Sequence, residues 1–200
     1  VAIVVVVILL STLFFVMKRK RDKFEQMAVF DQLTGLHNRH YLEVASRKML
    51  LHTIRHQVPL CIMVLDLDYF KKVNDNYGHA MGDSVLNAVG NLIIKQTRTN
   101  DISVRYGGEE FVVLLNNCDL CSVKEKSESL RKMVEALKPN GISITVSIGL
   151  AQLKPKGESI KELFKRADLA LYQAKENGRN CVVASDDKLS THTNIIKLSA

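Results

Sequence analysis

The feature that most constrains this chain is Arg105-Tyr106-Gly107-Gly108-Glu109-Glu110-Phe111, a glycine pair set between two β-rich runs at 102–106 and 111–115. Paired glycine supplies the positive φ that tight hairpin turns use, so the pattern predicts a hairpin. Two adjacent carboxylates sit at its tip, where loops usually carry chemistry. Such acids suit a hard divalent cation, which takes oxygen ligands and holds substrate phosphates at the same time. These residues alone leave two readings open, a metal site and a solvated turn.

At 200 residues, the chain has room for one domain of ordinary size plus an appendage. A composition 46% hydrophobic and 24% charged supports a packed core and argues against disorder. The net charge of +7 is largely local, because Lys18, Arg19, Lys20, Arg21 and Lys23 are offset nearby only by Asp22. Trp is absent, aromatics make up 6%, and no basic stretch is interleaved with stacking residues, so nucleic acid is not an expected partner.

Residues 1–17 carry no charge and are almost wholly aliphatic or aromatic. Crossing hydrocarbon takes about 20 such residues, with a lower limit near 17. The run is therefore expected to be a transmembrane helix. With no initiator Met, it is expected to be clipped from a longer protein. The basic cluster follows the apolar run and places everything after Lys18 in the cytoplasm. A cleaved signal peptide would carry its basic residues before the apolar core. A buried core helix is the alternative, but no polar face exists for such a helix to show to water.

Four cysteines, Cys61, Cys118, Cys121 and Cys181, are expected to stay reduced in a cytoplasmic domain. Cys118 and Cys121 form a single C-x-x-C without the second pair that a zinc site needs. Cys61 and Cys181 lie in apolar runs and read as small core residues. His52 and His56 have i, i+4 spacing but no carboxylate partner nearby, and read as surface histidines.

The expected organisation is a transmembrane helix at 1–17, a linker helix at 18–30, a domain at 31–184 and a polar tail at 185–200. Within the domain, Asn38 is a candidate N-cap for a helix to about Gln57 that carries Leu42, Ala45, Met49 and Leu50 at helical spacing. Leu60–Leu67 reads as a buried strand, and 78 to about 97 as a helix with Val85, Leu86, Val89, Leu92 and Ile93 as its apolar face. After the hairpin come a helix at Leu120–Leu137 and a strand region at 141–153, whose alternation predicts one covered and one polar face. A helix at 159–176 ends at Asn177-Gly178, and 181–184 is a last short strand. Interleaved helices and strands with one hairpin predict an α+β sandwich around a central, mainly antiparallel sheet flanked by helices.

A second acid cluster, Asp66-Leu67-Asp68, ends the strand Leu60–Leu67, the usual place for a ligand site. Alternate strand residues share a face, so Asp66 and Asp68 can project together and meet Glu109 or Glu110 if the hairpin lies alongside. Capping or surface acids are the other reading. In the following segment, 70–83, Asn74 and Asp83 fit a guanine-reading pair: a carboxylate accepts two N–H donors, and an amide both donates and accepts. Lys71 suits phosphate as a point charge. Simple turn chemistry also accounts for Asn-Asp-Asn and Gly.

Taken together, Asp66-x-Asp68-x-Phe70-Lys71-x-x-Asn74-Asp75, Gly78-His79-x-x-Gly82-Asp83 and Arg105 to Phe111 resemble the GGDEF family of diguanylate cyclases. Asp31-Gln32-Leu33-Thr34-Gly35-Leu36-x-Asn38-Arg39 matches the family's opening motif. Ser147-Ile148-Gly149, Arg166-Ala167-Asp168, Tyr172, Ala174-Lys175 and Gly178-Arg179-Asn180 match its last third. The resemblance covers about residues 30–184 and departs visibly only at Glu109, where the family name has Asp.

The resemblance implies a palm-like fold that condenses two GTP into cyclic di-GMP and pyrophosphate across a homodimer. It implies Mg²⁺, or Mn²⁺, on Asp66, the Leu67 carbonyl, Glu109 and Glu110, with Glu109 also the base for the 3′-hydroxyl. Asn74 and Asp83 would bind guanine. Phe70, Lys71, His79, Lys175, Arg179 and the catalytic Arg105 would line the nucleotide and its phosphates. Arg98-x-x-Asp101, just before Arg105, would bind product as an inhibitor, joined by Arg131; a helix-end ion pair is the plainer reading. The implied location is the bacterial inner membrane with the domain in the cytoplasm. The chief rival reading is an inactive receptor for GTP or cyclic di-GMP.

Overall fold

A computed structural model describes residues 12–18, 29–155 and 157–185. Residues 12–18 are helical and exposed. Most of the expected membrane helix, linker and tail lies outside the described residues. Among the described residues, no helix is long and apolar enough to cross a membrane.

Six strands form one sheet: β1 (His37–Asn38), β2 (Leu60–Leu67), β3 (Ile102–Arg105), β4 (Glu110–Asn116), β5 (Val146–Gln152) and β6 (Val182–Ala184), in the order β1-β3-β4-β2-β5-β6. The four inner strands pair antiparallel, and each edge strand pairs parallel to its neighbour. The expected antiparallel centre is therefore present. The helices are α1 (Arg39–His56), α2 (Phe70–Tyr77), α3 (His79–Gln96), α4 (Leu120–Leu137) and α5 (Ile160–Glu176).

Strand β2 is buried along its whole length and divides the core by residue parity. Cys61, Met63, Leu65 and Leu67 join Phe111, Val113, Leu115 and the apolar faces of α3 and α4. Leu60, Ile62 and Val64 join Val112, Leu114, Leu42 of α1 and Leu163, Ala167 and Leu171 of α5. This two-residue period decides where Asp66 points, because it continues the second set toward α5.

Several local expectations are met. Asn38 Oδ1 accepts from the Tyr41 N–H at 3.0 Å and caps α1. The Ser159 side chain and Glu162 form a capping box at the start of α5. The described cysteines are free, and burial, with the nearby Cys118 and Asp119, pushes the Cys61 thiol up to about 12, leaving it inert in the core.

Three expectations need correction. The segment 70–77, for which turn chemistry is one of two open readings of the sequence, is a helix, because Phe70 and Val73 anchor one side of it in the core and override the weak helix propensity of Asn-Asp-Asn. Strand β5 starts only at Val146, since Pro139, Asn140 and Gly141 make a 3₁₀ turn first. It also has no polar face: Val146 to Ala151 are all buried, with helices against both sides of the sheet. Finally, the hairpin forms, but neither Gly107 nor Gly108 adopts a left-handed φ. A Cβ at Gly107 would lie 2.6 Å from Glu110 Oε2, a contact that the flexible end of that side chain can relieve.

Candidate active site at the carboxyl end of the central strand

The pairing of β2 with β4 sets Asp66 opposite Glu110. The Leu67 N–H donates to the Glu109 carbonyl at 3.3 Å and fixes the hairpin tip beside the end of β2. From the second face of the sheet, Lys175 in the last turn of α5 reaches Asp66, with Nζ 2.9 Å from Oδ1. Asp66 is buried, at 7% exposure. Burial pushes its carboxyl above the ordinary range, and the charge of Asp68 adds to that, against the pull of Lys175 and Arg179. Glu109 is raised in the same way, first by burial and next by the charge of Asp66, against Lys175. Two carboxylates thus share a desolvated corner with one lysine, a pattern that clusters at functional sites.

The donor chemistry of that corner fits a hard cation. Asp66 and Glu109 offer carboxylate oxygens next to the Leu67 backbone, and a bound cation would offset the burial that chiefly raises both acids. Among the described residues, no group of three or more His, Cys, Asp or Glu stands ready to hold a metal. Two carboxylates are nevertheless the number Mg²⁺ commonly takes, with water and substrate phosphate completing the shell. Glu110 does not join the pair, because its carboxylate folds back over Gly107.

Asp68 points elsewhere and has a different use. Its Oδ1 accepts from the Ser147 hydroxyl at 2.6 Å, and its Oδ2 from the Thr145 hydroxyl at 2.7 Å and the Asn180 N–H at 3.0 Å. It therefore pins the Gly178-Arg179-Asn180 loop and β5 to the end of β2. Asn180 is held from its other side as well, where its amide bonds Arg131 Nη1 at 2.7 Å and Glu135 at 2.9 Å.

The guanine-reading pair is brought to one place by glycine. Asn74 lies on α2, and a Cβ added to Gly82 of α3 would fall 2.0 Å from Asn74 Oδ1, so that position must be glycine for the amide to rest there beside Asp83. Asp83, Lys71 and His79 are exposed around it. Phe70 is 5% exposed and belongs to the core, so its side chain supports α2 rather than facing a ligand.

Arg105 also departs from the sequence reading. Its guanidinium donates to the Gly108 carbonyl at 2.8 Å and pairs with Asp31 at 3.1 Å. Asp31 in turn accepts from the Thr34 N–H at 2.9 Å and its hydroxyl at 2.7 Å. Burial raises the Asp31 carboxyl, but the Thr34 bonds and Arg105 outweigh it and hold the group below its usual range. Arg105 is thus a brace between the Asp31 to Leu36 turn and the Gly-Gly tip.

The expected inhibitory trio is not assembled. The Asp101 carboxylate accepts from the Arg98 N–H at 2.9 Å and the Asn116 N–H at 3.2 Å, at the end of the sheet where Asn116 pairs with Leu60. Arg131 bonds Glu128, Glu135 and Asn180 instead, near the other end, about 20 Å away by strand length. Arg98 is exposed and, with Asp101, lines a 320 Å³ cleft with Phe30, Gly35, Leu36 and His37. The plainer reading of an Arg98–Asp101 side-chain ion pair is not met either, because Asp101 bonds backbone.

Sequence reasoning missed Tyr69. It is a non-glycine residue at φ 54, with Lys72 Nζ 4.4 Å and the Arg179 guanidinium 4.6 Å from its ring centre. No spacing signal marks it, because its partner Arg179 is 110 residues away.

A mixed sheet with an acid pair at the end of its central strand, a lysine over that pair and an amide–carboxylate pair on the adjoining helices defines a nucleotide-handling α+β domain. The family described as "Diguanylate cyclase, GGDEF domain" matches residues 28–181, and the chain belongs to it. The chain is 40% identical to Diguanylate cyclase A of Treponema denticola over 82% of its own length and 46% of that protein's. It is 36% identical to the response regulator PleD of Caulobacter vibrioides over 84% of its length and 38% of PleD. It therefore spans under half of these curated relatives.

Among solved structures, the GGDEF domain of DgcB from Caulobacter crescentus in complex with c-di-GMP shares 34% identity at a TM-score of 0.75, covering 80% of this chain and 94% of that one. The active GGEEF domain of a diguanylate cyclase from Vibrio cholerae shares 30% at 0.73, covering 78% and 99%. The second is notable because Gly107-Gly108-Glu109-Glu110-Phe111 here reads GGEEF as well.

Proposed function

We propose that this domain is a diguanylate cyclase that joins two GTP into cyclic di-GMP with release of pyrophosphate, working as a homodimer. The observation that carries the reading is the desolvated Asp66–Glu109 pair with Lys175 across it. Phosphoryl transfer asks a protein chiefly for positioning and charge neutralisation. Asp66, Glu109 and the Leu67 carbonyl would hold Mg²⁺ or Mn²⁺, which supplies charge neutralisation at the phosphates and acidifies the attacking hydroxyl. Glu109 accepts the 3′-hydroxyl proton, and its raised proton affinity suits that task. Asn74 and Asp83 read guanine. Lys71, His79, Lys175 and Arg179 face the phosphates, and Arg105 keeps the Gly-Gly tip in place.

Each domain carries one such set, while the product holds two guanosines, so two protomers each present one GTP to the other. Residues 1–17 anchor the protein in the bacterial inner membrane, the domain lies in the cytoplasm, and the linker at 18–30 raises the local concentration of the partner domain. Cyclic di-GMP inhibits at Arg98 and Asp101. The 320 Å³ cleft beside them supports this part of the reading, as does the DgcB domain solved in complex with c-di-GMP.

The test is incubation of the purified protein with GTP and Mg²⁺ and chromatographic measurement of products. Cyclic di-GMP and pyrophosphate are expected with GTP and neither with ATP. Binding of GTP or cyclic di-GMP without turnover would assign the domain to the receptors instead.

A further inference from the structure

Tyr69 sits between two buried residues, Asp68 at 6% exposure and Phe70 at 5%, yet is itself 54% exposed. Its backbone is left-handed, which costs energy for a residue with a Cβ, and its carbonyl accepts from the Lys72 N–H at 2.8 Å. This twist turns the ring out toward the Gly178-Arg179-Asn180 loop. The Arg179 guanidinium lies 4.6 Å from the ring centre and Lys72 Nζ 4.4 Å from it. Both distances are inside the range of cation–π attraction. The contact from Arg179 Nη1 to the Tyr69 hydroxyl is longer, at 3.3 Å, so the ring is the main partner.

Arg179 has few other restraints. Among the described residues, the one other hydrogen bond of its side chain, to the Lys175 carbonyl, is 3.5 Å long; its backbone N–H donates to the Ala174 carbonyl at 3.0 Å, and its own φ is 67. The loop backbone beside it is fixed by Asp68, which accepts from the Asn180 N–H. Arg179 also lies near enough to Asp66 for its charge to be felt there. A long side chain at the edge of an anion site is most useful when its rotamers are restricted before the ligand arrives.

We propose that Tyr69 is a positioning residue whose ring, shared with Lys72, holds the Arg179 guanidinium in place for the phosphates of a nucleoside triphosphate. The proposal rests on the reading of Arg179 as a phosphate contact and adds to it the residue that keeps Arg179 ready. Tyr69 itself touches no reacting atom in this account.

The test is the Kd of GTP measured by calorimetry on the full chain for wild type, Tyr69→Leu, Tyr69→Phe, Arg179→Ala and the double variant Tyr69→Leu/Arg179→Ala. Leu bears the same left-handed cost as Tyr, so the change removes the ring alone. Tyr69→Leu is expected to weaken GTP roughly 2- to 5-fold, the value of one exposed cation–π contact. Tyr69→Phe should bind as wild type does, and the double variant no worse than Arg179→Ala. Wild-type affinity in Tyr69→Leu, equal loss in Tyr69→Phe, or additive losses in the double variant would each overturn the proposal. So would an Arg179→Ala variant that binds GTP normally. Because binding is the readout, absence of turnover would break the cyclase reading without touching this result.

Discussion

The two ends of the sheet use acidic residues in opposite ways. At the carboxyl end of β2, Asp66 and Glu109 are desolvated and repel each other, with one lysine between them and the cost of their charge. At the other end, each carboxylate oxygen of Asp101 takes a backbone N–H, so that the residue closes the turn from Arg98 and ties it to β4. Both acids belong to recognisable motifs, but only the first pair is kept in tension. A carboxylate that takes backbone N–H bonds holds structure and keeps lone pairs for a ligand's donors, whereas one that is desolvated and poorly compensated is poised for a cation. The same contrast separates two cations expected to meet substrate. Lys175 faces the acid pair, while Arg105 is committed to Asp31 and the Gly108 carbonyl.

The largest effect should come from the tense end. Asp66→Asn or Glu109→Gln is expected to lower the rate of cyclic di-GMP formation by at least about 10²-fold, the usual weight of one preorganised electrostatic group. Stability should move differently. A carboxyl raised in the folded state takes up a proton more readily folded than unfolded, so it favours folding at low pH. That advantage is lost as pH climbs from the ordinary carboxylate range through the raised folded value. Asp66→Asn should therefore melt no lower than wild type at neutral pH in the presence of a chelator, as followed by circular dichroism. A marked drop in Tm would mean that Asp66 is structural after all.

A middle-sized effect is expected at the brace. Asp31→Ala should cost about 1–2 kcal/mol in denaturant unfolding, because it leaves a largely buried arginine without its partner. The hairpin tip would loosen with it, and turnover should fall about 10-fold through misplacement of Glu109. If Arg105→Ala lost turnover without losing stability, Arg105 would have to be returned to the catalytic group.

Arg131 and Arg98 sharpen the comparison further. Arg131→Ala should weaken GTP binding by a few-fold, by freeing Asn180 and the loop that bears Arg179. It should leave the concentration of cyclic di-GMP needed for inhibition unchanged. Arg98→Ala should do the reverse. A shift in inhibition with Arg131→Ala, measured by product titration, would reunite the trio that the fold keeps apart.

Much of this was legible in residue order alone. The buried run Leu60–Leu67, the cap at Asn38 and the apolar face of α3 follow from local spacing, and the structure repeats them. The acid pair was legible because its members sit at a strand end and a turn tip, positions that spacing reveals. What spacing could not show is which polar groups are already engaged. Arg105 meets Asp31 across 74 residues, Asp68 meets Ser147 across 79, and Arg131 meets Asn180 across 49. The helix at 70–77 was hidden for a related reason, since its propensity is poor and only packing of Phe70 and Val73 makes it form. The Gly107-Gly108 pair marked the hairpin, although neither glycine takes the left-handed φ that the pattern predicts.

The most direct test sets one variant from each end of the sheet against wild type in the same assay. Initial rates of cyclic di-GMP formation from GTP and Mg²⁺ are measured for wild type, Glu109→Gln and Arg98→Ala, with product removed as it forms. The account predicts that Glu109→Gln loses at least about 10²-fold while Arg98→Ala keeps the wild-type rate. Comparable rates in wild type and Glu109→Gln, or a collapse in Arg98→Ala, would contradict it.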